Sequence, residues 1–263
     1  FTVSCVLVPS LTVLYVHMRN GRGSERLLLA ALVMTAISLL IPILCVSRFQ
    51  LVFAVLLAAF TYISLQKLFH PGWLFGLFVV MIPFYLILTV ARSHNIEYLN
   101  GIFEMKNASM PIFVSQPYIY IANNYDNFNF LVGALPGHSF GLKGLFPLWA
   151  LSGLKFFFPQ LINFPIYVDK TELTTLTLFY DSYYDFGWIG VLLFSCILGA
   201  IAYILVVKLR EMRNPLGYLL YAQFAAYLML SFFTTWFSNT ATWFYLILTG
   251  IMALFYHLRA SRW

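Results

Sequence analysis

The sequence predicts an all-α, polytopic membrane protein of about seven transmembrane helices with one large extracytoplasmic loop. Three observations carry that prediction. Of the 263 residues 62% are apolar, only 9% are charged, and continuous apolar runs recur from one end to the other. A soluble domain carries roughly 25% charge. In hydrocarbon every backbone polar group must be satisfied internally, which helices achieve and isolated strands do not. A transmembrane barrel would read as alternating segments of about ten residues, whereas these runs are unbroken.

Seven apolar spans stand out, at 1–16, 27–46, 49–66, 72–91, 187–207, 215–235 and 241–257. None carries Asp, Glu, Lys or Arg in its interior, which avoids about 2.5–3.5 kcal/mol per charge at a helix centre. The first run is shorter than the roughly 20 residues a span needs, and no basic segment precedes it as in a signal peptide. The expectation is that further helices lie upstream. Cys5, Cys45 and Cys196 fall inside apolar runs and read as packing residues, not as a disulfide framework or a zinc site.

Charge sets the orientation. The net charge of +6 would suggest nucleic acid in a soluble chain. Here nine of the fifteen basic residues fall in four segments on one side of the alternating spans: Arg19, Arg22 and Arg26, then Lys67, then Lys208, Arg210 and Arg213, then Arg259 and Arg262. Lys and Arg collect in cytoplasmic loops, so that side and the carboxyl terminus are read as cytoplasmic, with no nucleic-acid partner. The chain then divides into helices one to four over 1–92, a periplasmic loop over 93–186, and helices five to seven over 187–263. A connection this long is functional or has its own structure. Within it, 111–132 reads as a helix with an aromatic face. The run 144–163, GLFPLWALSGLKFFFPQLIN, is apolar but broken by proline. It reads as an interfacial or re-entrant helix, or as a helix packed in a small cap.

Four features can carry chemistry. Arg48 lies in the turn after Cys45, and Arg92 ends the fourth span beside Ser93 and His94. Both stand at the outer membrane level, against the positive-inside trend. Each is either a snorkelling interfacial arginine or a bidentate clamp on phosphate. The third feature is the segment 117–141. Tyr118, Tyr120, Asn123 and Asn124 combine flat ring faces with paired donors and acceptors, as sugar binding or an ordinary aromatic belt would. His138, in Gly137-His138-Ser139-Phe140, is a candidate acid–base group or a solvated loop histidine. The fourth is Thr171 to Gly190, leading into the fifth span. If helical, it sets Asp181 and Asp185 on one face with Tyr180, Tyr183 and Tyr184 nearby. Asp185 is either functional or a carboxylate complementing a helix dipole. Gly187 and Gly190 would let a helix or lipid chain approach. There is no Walker loop, dinucleotide fingerprint, HExxH or paired-cysteine metal site, so no cofactor and no metal are expected.

The stretch Thr175 to Gly190, with Tyr183-Tyr184-Asp185-Phe186-Gly187 and its small-residue helix, resembles a hallmark of the oligosaccharide repeat unit polymerases, the Wzy-type O-antigen and capsule polymerases. The Asn-rich stretch Tyr120 to Phe130, Gly137 to Phe140 and the Ser47-Arg48 turn are similar to theirs. The sequence departs from the family's pattern at Glu172-Leu173-Thr174. The resemblance implies a bacterial inner-membrane glycosyltransferase that needs no metal. Its donor would be a glycan on undecaprenyl pyrophosphate, its partners membrane lipids and a chain-length regulator. Arg48, Arg92, His138 and Asp185 would be catalytic. Tyr118, Tyr120, Asn123, Asn124, Tyr180, Asp181, Tyr183 and Tyr184 would bind substrate. The alternatives are an O-antigen ligase-type transferase, which shares the topology, and a transporter or flippase. The last is disfavoured by spans without midplane charges.

Overall fold

A computed structural model of the chain describes residues 10–14, 16, 25–45, 47–66, 71–90, 95–211, 214–232 and 234–260. Among these residues the regular structure is entirely helical. In chain order the helices are α1 Glu25–Leu44, α2 Arg48–Gln66, α3 Pro71–Val90, α4 Ile96–Ile102, α5 Ile112–Ala134, α6 Phe146–Leu151, α7 Tyr180–Glu211, α8 Pro215–Met229 and α9 Thr240–Ala260. Short 3₁₀ turns cover Leu154–Phe156, Pro159–Leu161 and Trp236–Ser238.

Three helical segments among the described residues are long and apolar enough to cross a membrane: Glu25–Leu44, Tyr180–Lys208 and Thr240–Leu258. These are the helices expected at 27–46, 187–207 and 241–257. Their large apolar side chains are exposed, among them Leu27, Leu29, Leu44, Trp188, Leu192, Ile251 and Phe255. A helix that is apolar on all sides suits lipid. The expected span at 215–235 forms a shorter helix, because α8 ends at Met229 after 15 residues. At 1.5 Å per residue that is about 22 Å, less than the hydrocarbon thickness. The expected spans 49–66 and 72–91 are α2 and α3. Most of 1–16 lies outside the described residues, as does Cys5.

The hydroxyls inside these helices bond back to their own turn. Thr35 donates to the Ala31 carbonyl at 2.8 Å, Thr61 to Leu57 at 2.7 Å and Ser195 to Val191 at 2.7 Å. That satisfies a hydroxyl without water, as an apolar surrounding demands. Cys45, in the turn after α1, and Cys196, on α7, are exposed free thiols, not the packing residues the sequence suggested.

The chain divides into two compact units. The first holds Phe1–His94, Leu205–Ala226 and Leu248–Trp263. In it α1 packs on α2 and α2 on α3. Its buried residues include Leu51, Ala54 and Leu57 of α2 and Leu219, Ala222 and Ala226 of α8. The amide of Asn214 donates to the Ala253 carbonyl at 2.6 Å.

The second unit holds Asn95–Ile204 and Tyr227–Ile247. Its spine is α5, which buries Ser115, Gln116, Ile119, Asn123, Asn124, Asn127 and Leu131. A half-polar buried face needs partners, because an unpaired buried amide costs about 1–3 kcal/mol. The irregular segment 163–178 supplies several. Asn127 donates to the carbonyls of Leu173 (2.7 Å) and Thr175 (2.9 Å) and accepts from the Asp169 N–H (3.0 Å). Leu131, Tyr180 and Tyr184 form a buried core flanked by Phe128, Phe164, Tyr167 and Leu176. The run 144–163 forms no continuous helix. It breaks into α6 and two 3₁₀ turns, because Gly153 turns at φ 77° and Pro159 removes a donor.

Candidate functional site

The chemistry gathers where the loop 138–144 meets the first turns of α7. That helix begins with Tyr180 to Asp185 and then kinks. Phe186 leaves helical geometry, and Gly187 sits at φ 62°, ψ −148°, a region essentially reserved for glycine. A Cβ on Gly187 would stand 3.1 Å from His138 Nε2. A Cβ on Gly190 would collide with the Ser182 carbonyl of its own helix. Both glycines therefore serve the kink itself, not the approach of another helix or a lipid.

Asp185 is 4% exposed and holds the loop in place. Its Oδ1 accepts from the Lys143 backbone N–H (3.1 Å) and from the Ser139 hydroxyl, and its Oδ2 from the Gly144 N–H (2.7 Å). Gly144 has to be glycine, because a Cβ there would lie 2.6 Å from Asp185 Oδ2. With donors on both oxygens, Asp185 is a positioning residue. The catalytic role expected for it from sequence does not suit a carboxylate so occupied.

The same loop presents His138 and Lys143. His138 is exposed, and its Nδ1 lies 3.3 Å from the Tyr184 carbonyl. A carbonyl only accepts, so Nδ1 carries the proton and Nε2 is left as the basic nitrogen. The Tyr183 ring stands edge-on to the imidazole at 6.1 Å. Lys143 turns inward. Its Nζ is 3.7 Å from Asp181 Oδ1, with side chains only 12% and 8% exposed. It also lies 4.5 Å from the centre of the Tyr184 ring and 5.5 Å from that of Tyr180, within cation–π range. The hydroxyls of Ser238 and Thr235 face the Asp181 carboxylate. Lys143 escaped the sequence reading. The signal that could have found it is a lone lysine just after Gly137–Phe140, in an apolar stretch preceding two aspartates.

The other expected site residues separate into two groups. Tyr180 is fully buried, and its hydroxyl donates to the Tyr167 carbonyl while accepting from the Tyr167 N–H, both at 2.7 Å. Tyr184 is buried beside it. Asn124 is fully buried, donating to the carbonyls of Tyr120 and Phe232. Tyr180, Tyr184 and Asn124 therefore hold the unit together and are not open to a ligand, contrary to the sequence reading. Tyr118 and Tyr120 are exposed on α5. With Asn123, Tyr118 lines a cavity of about 640 Å³ that also touches Glu104, Asp126, Asp169 and Lys170. Arg48 opens α2, with its side chain outside the described residues, as is the whole of Arg92. Among the described residues no three His, Cys, Asp or Glu side chains converge as a metal cage would require.

The chain matches no protein-family model, no curated protein and no solved structure.

Proposed function

We propose that the chain is a multi-pass membrane glycosyltransferase that polymerises polyprenyl-pyrophosphate-linked oligosaccharide repeat units. The membrane in this reading is the bacterial inner membrane. About seven helices span it, the region 93–186 lies on the outer side and the carboxyl terminus in the cytoplasm. The observation that carries the reading is one pinned loop that presents an exposed, backbone-oriented His138 together with Lys143, whose ammonium pairs with the buried Asp181 at the start of a membrane-length helix. A buried ion pair costs desolvation energy, and such pairs cluster where charge is used. The likeness of Tyr183–Gly187 to the repeat unit polymerases supports the same reading.

In this mechanism a hydroxyl of the acceptor glycan attacks the anomeric carbon of the donor. The bond between that carbon and the pyrophosphate oxygen breaks, and the polyprenyl pyrophosphate leaves with the electron pair. His138 Nε2 takes the hydroxyl proton, since its ring is oriented by the bond on Nδ1. Lys143 supplies a positive charge, and phosphate clamping at the outer membrane level is the role proposed for Arg48 and Arg92. Asp185 holds the loop.

The test is polymerisation in vitro from a purified lipid-linked repeat unit. Wild-type protein gives a ladder of lengths. His138→Gln keeps a donor for the Tyr184 carbonyl but lacks the basic nitrogen, so its rate falls by about 10²–10⁴. A wild-type protein that makes no ladder, or a His138→Gln variant with an unchanged one, overturns the assignment.

A further inference from the structure

The cavity of about 640 Å³ in the second unit lies between α5, the loop after α4 and the segment at Asp169–Lys170. Its volume falls in the roughly 300–1,000 Å³ range of small-ligand sites. Three features give it chemistry. Tyr118, 59% exposed, brings an aromatic ring to the lining. Asp126 and Asp169 are exposed, and their carboxylates have no ion pair and no hydrogen bond among the described residues. Asn123 is only 3% exposed yet lines the cavity. Its Nδ2 is held by the Leu173 carbonyl at 2.9 Å, while its Oδ1 accepts no hydrogen bond among the described residues. That oxygen leaves an acceptor in the cavity lining to which a ligand hydroxyl can donate.

We infer that this cavity binds a hydroxyl-rich glycan, neutral or aminated, and discriminates against uronic-acid sugars. Open carboxylates accept pairs of hydroxyl protons, Asn123 Oδ1 accepts one more, and the Tyr118 ring covers the apolar face of a pyranose. The charge selects the class. Glu104, Asp126 and Asp169 set three carboxylates against the ammonium groups of Lys106 and Lys170. Lys170 is already neutralised, with its Nζ 2.8 Å from Glu104 Oε1 and 3.3 Å from the Ile102 carbonyl. The groove is therefore net negative. An ammonium on a sugar is welcome beside Tyr118 and the two aspartates, and a carboxylate is repelled. The inference deepens the polymerase reading by naming the sugar class, and it rests on that reading only for the glycan's being the chain's own substrate.

The experiment is saturation-transfer NMR on the full chain in detergent micelles with three soluble probes: a neutral N-acetylglucosamine trimer, a glucosamine trimer and a galacturonate trimer. The expected result is binding of the first two at least about tenfold tighter than the third, one tenfold step being about 1.4 kcal/mol. Tyr118→Ala weakens both bound probes. Asp126→Asn with Asp169→Asn weakens the glucosamine trimer by about tenfold or more, the worth of a charge-assisted hydrogen bond, and narrows the discrimination against the galacturonate trimer. No transfer to either favoured probe, equal binding of all three, or variants that bind like the wild type overturns the inference. The in vitro ladder separates the two readings. Trimer binding without polymerisation sinks the polymerase and leaves the groove standing; polymerisation without trimer binding does the reverse.

Discussion

Removing one partner of the Lys143–Asp181 pair should destabilise the protein far more than removing both. The pair is 3.7 Å apart and its side chains are 12% and 8% exposed. Asp181→Asn leaves the Lys143 ammonium in a poorly solvated place with the rings of Tyr184 and Tyr180 and an uncharged amide oxygen in place of the carboxylate. Breaking a buried pair from one side costs about 3–5 kcal/mol. The separation exceeds the roughly 2.7–2.9 Å of a charge-assisted hydrogen bond, so the lower end applies. At about 2–4 °C per kcal/mol for a chain of this size, the melting temperature falls by roughly 6–12 °C. Lys143→Met behaves similarly, leaving a carboxylate with the Ser238 and Thr235 hydroxyls. The double variant Lys143→Met/Asp181→Asn has no stranded charge and should melt within about 1–2 kcal/mol of wild type, yet stay inactive if the ammonium acts on the donor. The assay is a double-mutant cycle of melting curves in detergent, run beside glycan ladders at matched protein level. A single variant that melts like the wild type, or a double variant no better than the worse single, refutes a buried, coupled pair.

Asp185→Asn puts an amide NH₂ against the Gly144 N–H or, flipped, against the Ser139 and Lys143 donors. It should lower the melting temperature and loosen 138–144, read as faster amide hydrogen exchange there. Gly187→Ala forces a side chain into φ 62° against the His138 ring, costing about 1–3 kcal/mol in melting experiments. For topology, cysteines at Ser109 and Ser152, both exposed, should react with an impermeant maleimide from outside in a background lacking the native cysteines. Ser261 should react only after permeabilisation, and the opposite pattern rejects the orientation. Arg48→Lys and Arg92→Lys should each lose nearly all polymer, because lysine lacks the bidentate fork; a snorkelling arginine would tolerate the change.

The long apolar helices were legible because their signal is compositional and local. A run such as 27–46 must be helical once it is in lipid, whatever its neighbours do. The helix α5 was legible as an aromatic-faced helix over 111–132. What escaped was everything decided by pairing across distance in sequence. Asn123, Asn124 and Asn127 look like ligand groups in a linear reading, because three amides in an aromatic helix suggest an open polar surface. They turn out to serve backbone carbonyls at Leu173, Thr175 and Phe232, while the Oδ1 atoms of Asn123 and Asn124 accept no hydrogen bond among the described residues. Nothing in the sequence says which irregular segment will need donors. The break of 144–163 into short turns was hidden too, since apolar content dominated the reading over Gly153 and Pro159.

The two aspartates show why spacing identifies a face but not a role. Asp181 and Asp185 lie four residues apart and are both buried, as a helical repeat dictates. Yet Asp185 meets two backbone N–H groups and a hydroxyl, partners that do not move, while Asp181 meets the end of a flexible lysine and two hydroxyls. The first arrangement fixes geometry, because each donor is anchored in the chain and any shift of the loop breaks a charge-assisted bond. The second places a charge at the end of a flexible side chain. In the proposed mechanism the Lys143 ammonium stays against the Tyr184 ring, and the Asp181 carboxylate against its hydroxyls, as negative charge develops on the leaving group. In the proposed reaction such a site holds its base, His138, on a pinned loop and its cation on a flexible side chain. That division suits a reaction in which the nucleophile must be aligned before attack while negative charge appears only as the leaving group departs.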